Sequence, residues 1–383
     1  QIAYLVDSHR GEATEYNPVN YTLFVTFFPH LIAGPILHHR EMMPQFAAPD
    51  TYRLRASNFA VGSMIFTIGL AKKVLIADNL APYANELFAE PGTPSFFIAW
   101  GGVLAYTFQL YFDFSGYSDM AIGLSRMFGV QLPLNFNSPY KSTSISEFWR
   151  RWHMTLSRFL RDYLYIAMGG NRKGTARRYA NLMITMLLGG LWHGAGWPYV
   201  VWGGLHGLFL VINHGWQALR ERMGYHNPGA AWRLIAAVIT FLSVVFAWVF
   251  FRALSFTDAI AIIRGMTGDF GIAMPHAIAS QLGSLNGLLE GIGVTTYLGG
   301  GQRFIEIYAW VIFAALVAFL APNTQQIAER FEPALDFRSA DTTAPVVPLR
   351  WAPTTAWALC IGVLAAACIL SLSRPTEFLY FQF

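Results

Sequence analysis

The sequence predicts an all-α polytopic membrane protein, and three observations support this fold class. Hydrophobic residues make up 54% of the 383 residues and charged residues only 13%, against roughly 25% charged in an ordinary soluble domain. Several apolar runs reach the ~20 residues that a membrane-spanning helix needs. The 12 Trp and 17 Tyr suit a protein with two water–lipid interfaces. This composition excludes an ordinary soluble domain.

The first two apolar runs are both interrupted. Val19 to Leu37 contains Pro29, and this predicts a kinked or broken helix because proline removes a helix hydrogen bond. The run from Phe59 to Leu80 predicts a spanning helix with Lys72 and Lys73 inside it. A polar segment with three arginines separates the two runs.

The next segment divides into two parts. Ser95 to Phe114 is apolar and predicts a third span. Ser115 to Val130 is less hydrophobic and is amphipathic, and we expect it to lie at the membrane surface rather than to cross the membrane.

Five further apolar runs follow a basic central segment. They are Tyr179–Trp192, Trp197–Asn213, Trp232–Phe251, Phe304–Leu320 and Thr354–Leu372. Residues 252–302 are rich in glycine and contain one short amphipathic piece, DAIAIIRGM, which predicts an extramembrane connection. We count about eight spanning helices and find no repeat of fixed period. Cys360 and Cys368 share the last run, which favours packing or lipid contact over a disulfide or a metal site.

Positive charge is concentrated between Lys141 and Arg178. This segment has nine Lys and Arg against two acidic residues, a net charge of +7, while the whole chain has only +4. The positive-inside rule places it on the cytoplasmic face. Lys72 and Lys73 then fall near the outer end of their span, which conflicts with this orientation. A solvated basic loop explains the charge, and so does a site for polyanionic acyl donors; nucleic acid is not expected between spanning helices.

One helix is predicted to begin at Ser144. Ser144 and Glu147 form a capping-box pattern. At ~100° per residue one sector is apolar and the opposite sector is basic. The apolar sector holds Trp149, Trp152, Leu156, Leu160 and Tyr163, and the basic sector holds Arg150, Arg151, Arg158 and Arg161. His153 falls in the apolar sector, where it either faces an internal site or is satisfied by a carbonyl in the core.

His193 is predicted to lie inside the membrane. Arg177 and Arg178 fix the cytoplasmic end of its helix, and a Gly-Ala-Gly turn with Pro198 follows it. The fourteen rises from Tyr179 cover about 21 Å, less than the ~30 Å bilayer core. Irregular backbone at such depth is tolerated where it lines a cavity or is buried in protein. The glycines around it allow close helix packing; they are Gly189, Gly190, Gly194, Gly196, Gly203, Gly204 and Gly207.

Three segments carry a family resemblance: NFNSPY at 135–140, RRWHMTLSRFLRDYLY at 150–165 and GGLWHG at 189–194. They resemble the signature segments of the membrane-bound O-acyltransferase (MBOAT) superfamily, and they are most similar to the bacterial alginate O-acetylation proteins. The resemblance implies one integral-membrane domain over residues 1–383, with interfacial helices around a central passage. The chain begins with Gln1 in a segment that resembles an internal family segment, so we expect its N-terminal helices to be missing.

The resemblance also implies residue roles. His193 corresponds to the essential histidine, expected to act as a general base because a neutral imidazole suits proton transfer near pH 7. His153 corresponds to its usual second polar partner. Further candidates for substrate binding are Asp113, Asn135, Asn137, Tyr140, Trp152, Arg150, Arg151, Trp192 and His206. For several of these, helix ends and turns are an equal alternative explanation. We further predict that both imidazoles face one internal passage.

The implied function is polysaccharide O-acetylation at the bacterial inner membrane. No bound cofactor is expected, and the acyl donor would be acetyl-coenzyme A or another acyl thioester. Expected partners are the lipid bilayer and periplasmic acetylation or polysaccharide-assembly proteins. A non-catalytic relay subunit and a transporter-like channel stay open as alternatives. A haem carrier that uses His193 and His206 is disfavoured because Pro198 breaks the helix between them.

Overall fold

The protein is described by a computed structural model, in which residues 2–13, 17–31, 34–224, 229–335, 337–338, 346–373 and 379 are described. The described chain is mainly helical, as predicted. In its first half the helices are α1 (Ile2–His9), α2 (Pro18–Thr26), α3 (His39–Ala47), α4 (Ala56–Ala71), α5 (Asp78–Ala89), α6 (Phe96–Met127), α7 (Ile145–Arg151) and α8 (Met154–Leu160).

The second half contains the remaining helices and two short strands. The helices are α9 (Thr175–His193), α10 (Trp197–Arg222), α11 (Ala230–Arg252), α12 (Phe256–Thr267), α13 (His276–Ala279), α14 (Ser284–Gly291), α15 (Gly301–Leu320), α16 (Thr324–Ile327) and α17 (Thr355–Ser371). β1 (Ile272–Pro275) and β2 (Val294–Tyr297) pair in parallel, with Ile272 opposite Val294. This small sheet lies in the predicted extramembrane connection and is an exception to the all-α prediction.

Among the described residues, three helices are long and apolar enough to cross a membrane: Ala56–Ala89, Ala230–Arg252 and Gly301–Leu320. Thr355–Ser371 is apolar but shorter. These three helices support a membrane protein, whereas the expected number of about eight spans is not confirmed. Ala56–Ala89 is one helix of 34 residues, in which a π-helical segment at Lys72–Ala77 joins α4 to α5.

Local sequence explains several helix boundaries. The predicted break in the first apolar run is present, since α2 ends at Thr26 and Pro29 lies in a separate 3-10 turn. The predicted surface helix at 115–130 is wrong, because α6 continues without a break to Met127. Ser115, Ser118 and Ser125 are buried in that half of α6. Small polar side chains that pack inside a helix bundle interrupt the run of apolar residues in the sequence. The sequence of such a buried helix then looks like that of a helix at the surface.

The chain divides into two compact units, each described by itself. Unit 1 contains residues 1–75, 112–181 and 318–382, and unit 2 contains residues 76–111 and 182–317. The core of unit 1 contains side chains from α2, α3, α4 and α6, including the fully buried Met42 and Ile65. Unit 2 has an aromatic core in which Trp202 stacks on Trp248 at 5.7 Å. The prediction of a single domain stays a prediction.

Candidate active site

His153 lies in unit 1 at a sharp turn between α7 and α8. Its backbone has φ 42°, a left-handed conformation that costs a residue with a Cβ atom roughly 1–2 kcal/mol. The ring is buried, with only 3% of the residue exposed. It packs edge-on against Phe114 at 4.7 Å and stacks near Phe136 at 6.4 Å. His153 is therefore buried within this unit, and its orientation toward an internal passage stays a prediction.

Asn135 holds this ring in one orientation. Its Oδ1 lies 3.1 Å from His153 Nδ1 and also accepts the Thr155 backbone N–H at 3.3 Å. Because a backbone N–H can only donate, it fixes which end of the Asn135 amide is the oxygen. His153 Nδ1 must then carry a proton and donate it to Asn135, so in the neutral ring Nε2 is an acceptor. The sequence interpretation of a histidine satisfied by a carbonyl is correct for Nδ1.

The predicted continuous helix from Ser144 to Tyr163 is wrong. The Ser144 hydroxyl caps α7 by accepting the Glu147 N–H at 3.2 Å, as expected. Glu147 instead accepts the Thr143 N–H at 2.8 Å, outside the predicted capping box. α7 ends after seven residues at Arg151. The Asn135 carbonyl accepts the Met154 N–H at 2.9 Å, which satisfies a backbone donor at the break.

Tyr140 and Trp152 belong to a buried aromatic stack. Their rings lie 6.1 Å apart with an angle of 22°, and both stack on Phe148. Trp152 also contacts Phe136 edge-on at 5.0 Å. Both residues are less than 5% exposed. Their rings pack against each other next to the turn that carries His153, and their contact with substrate stays a prediction.

Asn137 and Arg151 also support this turn. The Asn137 N–H donates to the Arg151 carbonyl at 2.9 Å, and the Arg151 guanidinium donates to the Asn137 carbonyl at 3.2 Å. Asn323 donates to Asn137 Oδ1 at 3.0 Å. Arg151 is additionally paired with Glu147 at 2.9 Å. Both predicted substrate-binding residues are thus engaged in bonds within the protein.

Asp113 and Asp119 each form an ion pair with a lysine. Lys73 Nζ lies 2.7 Å from Asp113 Oδ1, and Lys72 Nζ lies 2.6 Å from Asp119 Oδ2. The side chains of Lys73 and Asp113 are only 5% and 3% exposed. Asp119 also accepts hydrogen bonds from Thr324 and Gln325. Both lysines lie in the π-helical segment, where an extra residue in the turn is often associated with a functional site.

The arginines do not form one free stripe, so this prediction is wrong in part. Arg158 pairs with both oxygens of Glu41, with 2.9 Å between Nη2 and Oε2. Arg161 pairs with the adjacent Asp162 at 2.7 Å. Arg150 is exposed, and no acidic partner for it is found among the described residues. The break at His153 changes the angular relation of the two short helices, and this explains why the helical-wheel prediction fails.

A cavity of about 360 Å³ lies beside these arginines in unit 1. Arg150, Arg158 and Arg161 line it together with Trp149 and Ser157. Two of these arginines have exposed guanidinium groups, so the cavity wall is positively charged. Such a wall can bind an anionic group such as phosphate.

Tyr163 belongs to a neighbouring polar cluster outside the candidate spans. Its hydroxyl donates to Asp7 Oδ2 at 2.9 Å, and its ring stacks on His38 at 5.7 Å. Burial, followed by the hydrogen bond to Asp7, raises the pKa of Tyr163. Burial, together with the charge of Arg158, lowers the pKa of His38. The Tyr163 hydroxyl therefore stays protonated and donates a hydrogen bond. The sequence analysis had placed this residue in the apolar sector of the helix.

His193 lies in unit 2 at the C-terminus of α9. The helix ends at His193 as predicted, and Gly194 to Gly196 connect it to α10. Three aromatic rings surround the imidazole, at centroid distances of 5.0 Å for Trp192, 5.2 Å for Trp202 and 5.0 Å for Phe251. The residue is partly exposed. No hydrogen bond to either ring nitrogen is found in the described part of the chain.

Close packing of α9 on α10 fixes the position of His193. A Cβ atom added to Gly190 would lie 2.3 Å from the Tyr199 carbonyl oxygen, and one added to Gly203 would lie 2.3 Å from the Met186 carbonyl oxygen. Real Cβ atoms do not approach backbone oxygens so closely, so only glycine permits this helix separation. The predicted role in close helix contact is confirmed for Gly190 and Gly203, two of the seven glycines.

The other two candidates in unit 2 differ in exposure. Trp192 is 51% exposed and its ring contacts His193. His206 is completely buried, with its ring 5.0 Å from Trp202 and 6.0 Å from Trp248. His206 therefore belongs to the aromatic core beneath His193, because Trp202 contacts both histidine rings.

The structure brings His153 together with Asn135, and it brings His193 together with Trp192. His153 and His193 belong to different units, so the shared internal passage stays a prediction. The sequence analysis missed Asp119 and the pairing of Lys72 and Lys73. A signal was available, because two carboxylates and two lysines in apolar runs need partners of opposite charge.

Comparisons with known proteins agree with the three sequence segments. The model of the membrane-bound O-acyltransferase family matches residues 3–256. The chain is 38% identical to the peptidoglycan O-acetyltransferase of Helicobacter pylori, with 100% of this chain and 72% of the relative aligned. It is 40% identical to the probable alginate O-acetylase AlgI of Pseudomonas fluorescens, over 100% of this chain and 76% of that protein.

A more distant relative is the teichoic acid D-alanyltransferase of Streptococcus thermophilus, at 26% identity over 65% of each chain. The names of the three relatives give peptidoglycan, alginate and teichoic acid as the molecules to which an acetyl or D-alanyl group is transferred. The family match covers well over half of the sequence and includes both His153 and His193. The chain belongs to the membrane-bound O-acyltransferase family and is an O-acyltransferase.

Proposed function

We propose that this enzyme is a multi-pass inner-membrane protein that transfers an acetyl group from a cytosolic thioester. The acceptor is a polysaccharide hydroxyl, or a periplasmic partner protein that completes the transfer. The named activities of the relatives support O-acetylation of a glycan. The observation that carries the proposal is His193, a partly exposed imidazole at the C-terminus of α9, with aromatic neighbours and no internal hydrogen bond among the described residues.

In the proposed reaction His193 acts as general base. One ring nitrogen accepts the proton of the acceptor hydroxyl while the hydroxyl oxygen attacks the thioester carbonyl carbon. A C–O bond forms and the C–S bond breaks. The departing sulfur then takes the proton from the imidazolium, so the histidine returns to its neutral state. The rings of Trp202 and Phe251 restrict the imidazole to a narrow range of orientations.

The depth of His193 is part of the proposal. α9 contains 19 residues, so its length is about 28 Å. Arg177 and Arg178 lie near its start and belong at the headgroup level. His193 is then inside the bilayer and toward the outer side, and the Gly194–Gly196 connection borders a water-filled approach.

The acyl donor is proposed to bind through its anionic end at the arginine-lined cavity of unit 1. Arg150 has no acidic partner in the described chain and lines the cavity with Arg158 and Arg161. The phosphates of coenzyme A, or the acidic surface of an acyl-carrier protein, are polyanionic and suit this wall. The basic segment 141–178 then faces the cytosol.

Lys72 and Lys73 do not conflict with this orientation. Because the helix Ala56–Ala89 extends to residue 89, both lysines lie at its middle rather than near its outer end. Each has a carboxylate partner within 2.7 Å, so neither is a free charge at a membrane surface. The positive-inside rule counts residues in loops and at helix ends, and these lysines are in neither place.

The test compares His193→Ala with His276→Ala, a matched loss of an exposed histidine in unit 2. Acetyl transfer is measured with purified protein in liposomes, with a radiolabelled thioester and an acceptor glycan, with and without the periplasmic fraction. We expect His193→Ala to lower turnover by about 10²-fold or more and His276→Ala to leave it unchanged. Equal activity of both variants would remove His193 from the mechanism. Donor consumption by wild type only with the periplasmic fraction would support transfer through a partner.

A further inference from the structure

A cleft of about 480 Å³ lies in unit 2, formed by the ends of three helices. Its walls are the end of α5, the start of α6 and the start of α15, together with the end of β2. Five aromatic side chains line it: Tyr83, Phe97, Tyr297, Phe304 and Tyr308. The cavity is within the size range of small-molecule sites, which is about 300–1,000 Å³.

The aromatic rings form a fixed wall. Phe304 lies 4.7 Å from Tyr308 and 5.8 Å from Phe97. The Tyr308 hydroxyl donates to the Phe97 carbonyl at 2.8 Å, which ties α15 to α6. All three rings are partly buried and line the cleft.

Charged groups stand at the edge of the same cleft. Arg303 donates to Glu86 at 2.6 Å and covers the Tyr83 ring at 4.1 Å. Glu90 also lines the cleft and is exposed. The lining therefore contains two carboxylates and one guanidinium, a net charge of 1 − 2 = −1. The net negative charge disfavours binding of a polyanion, and the carboxylates disfavour binding of a hydrocarbon chain because they would lose water without gaining a polar partner.

The cleft is connected to His193 through consecutive residues of α11. Phe251 contacts the His193 ring at 5.0 Å, and the next residue, Arg252, donates to Asn85 at 3.0 Å. Asn85 precedes the cleft residue Glu86 on α5. The cleft and the general-base candidate are therefore linked at one end of α11, the end that leads into the predicted extramembrane connection.

We propose that this cleft binds an uncharged or weakly charged saccharide and holds the acceptor glycan at the outer face. Aromatic rings pack against the C–H face of a sugar ring, while carboxylates and the guanidinium bond to its hydroxyls. Of the three relatives, the one named for peptidoglycan agrees with a weakly charged glycan, whereas alginate and teichoic acid are polyanions. The inference rests on the proposed glycan acetylation and adds the acceptor class and its docking residues.

The experiment measures binding without any acyl donor, by titration calorimetry on the full chain in detergent. The probes are chitohexaose, which is neutral, and a hexameric mannuronate, which is polyanionic. We expect chitohexaose to bind more tightly than the mannuronate oligomer. Phe304→Ala should weaken this binding by about 10-fold, the scale for loss of an aromatic contact with its buried area, and Phe304→Tyr should restore it.

Two controls make the result specific. Leu298→Ala changes a neighbouring side chain that is 90% exposed and does not line the cleft, and it should leave binding unchanged. His193→Ala should also bind chitohexaose normally, because it removes chemistry and not docking. Tighter binding of the polyanion, no saccharide binding, or equal binding by Phe304→Ala would overturn the proposal. Normal binding together with full activity of His193→Ala would instead reject the proposed catalytic mechanism alone.

Discussion

The buried pair of Lys73 and Asp113 gives the most direct test of a candidate substrate-binding residue. The two charged atoms are 2.7 Å apart and both side chains are at most 5% exposed. Removing one partner from a buried pair leaves an uncompensated charge and costs about 3–5 kcal/mol, whereas replacing both with apolar groups is often close to neutral. We therefore expect Lys73→Met and Asp113→Leu to be strongly destabilising separately, and the double variant to recover most of the stability.

The assay is the apparent thermal midpoint of purified protein in detergent, followed by acyl transfer on each folded variant. A change of 1 kcal/mol moves the midpoint by about 2–4 °C for a unit of this size, so each single variant should melt roughly 6–20 °C lower. The double variant should also recover most of its acyl transfer, because the pair is structural. A double variant as unstable as either single variant would refute the ion-pair argument. A stable but inactive double variant would show that the pair has a role in acyl transfer beyond stability.

Two further predictions concern unit 1. Arg150→Gln should raise the apparent KM for the thioester donor, with an effect that shrinks at high salt because exposed charges are screened over about 8 Å at physiological ionic strength. Arg151→Gln should instead lower the melting midpoint, since Arg151 bonds Asn137 and Glu147. A raised KM in Arg151→Gln together with an unchanged KM in Arg150→Gln would reject the donor site. His153→Asn keeps a residue that tolerates a positive φ but removes a ring that packs on Phe114. We therefore expect turnover to fall at least about 10-fold in a protein that still folds, with a lower midpoint because a buried contact is lost. Unchanged turnover with a lower midpoint would leave His153 only a packing role.

The length and position of several helices could be predicted from apolar runs. The predicted run Trp232–Phe251 matches α11 within two residues at each end, and Phe304–Leu320 lies within α15. The end of α9 at His193 followed from the glycines and Pro198. In each case a local signal, either continuous hydrophobicity or a helix-breaking residue, coincides with the observed helix.

Other features depend on contacts that no local pattern encodes. The π-helical segment at Lys72–Ala77 coincides with two lysines whose carboxylate partners are 40 and 47 residues away in the sequence. Likewise, Arg158 was assigned to a free basic stripe because Glu41, its partner, is 117 residues away. A helical-wheel analysis assigns charged residues to the solvent-exposed face of a helix. It therefore misplaces charged residues that form ion pairs with residues distant in the sequence.

The turn at His153 is the most informative failure of the periodicity argument. Apolar and basic residues from Ile145 to Tyr163 alternate as one amphipathic helix would require, yet the backbone changes to φ 42° in the middle. This conformation costs roughly 1–2 kcal/mol without glycine, and glycine is abundant elsewhere in the chain. Asn135 stabilises the turn because its side-chain oxygen and its backbone carbonyl both accept hydrogen bonds there. A strained backbone persists where the surrounding structure over-determines it, and such positions cluster at functional sites. The strain therefore supports the hypothesis that the protein requires this imidazole, in this one tautomer, and not merely a tight turn between two helices.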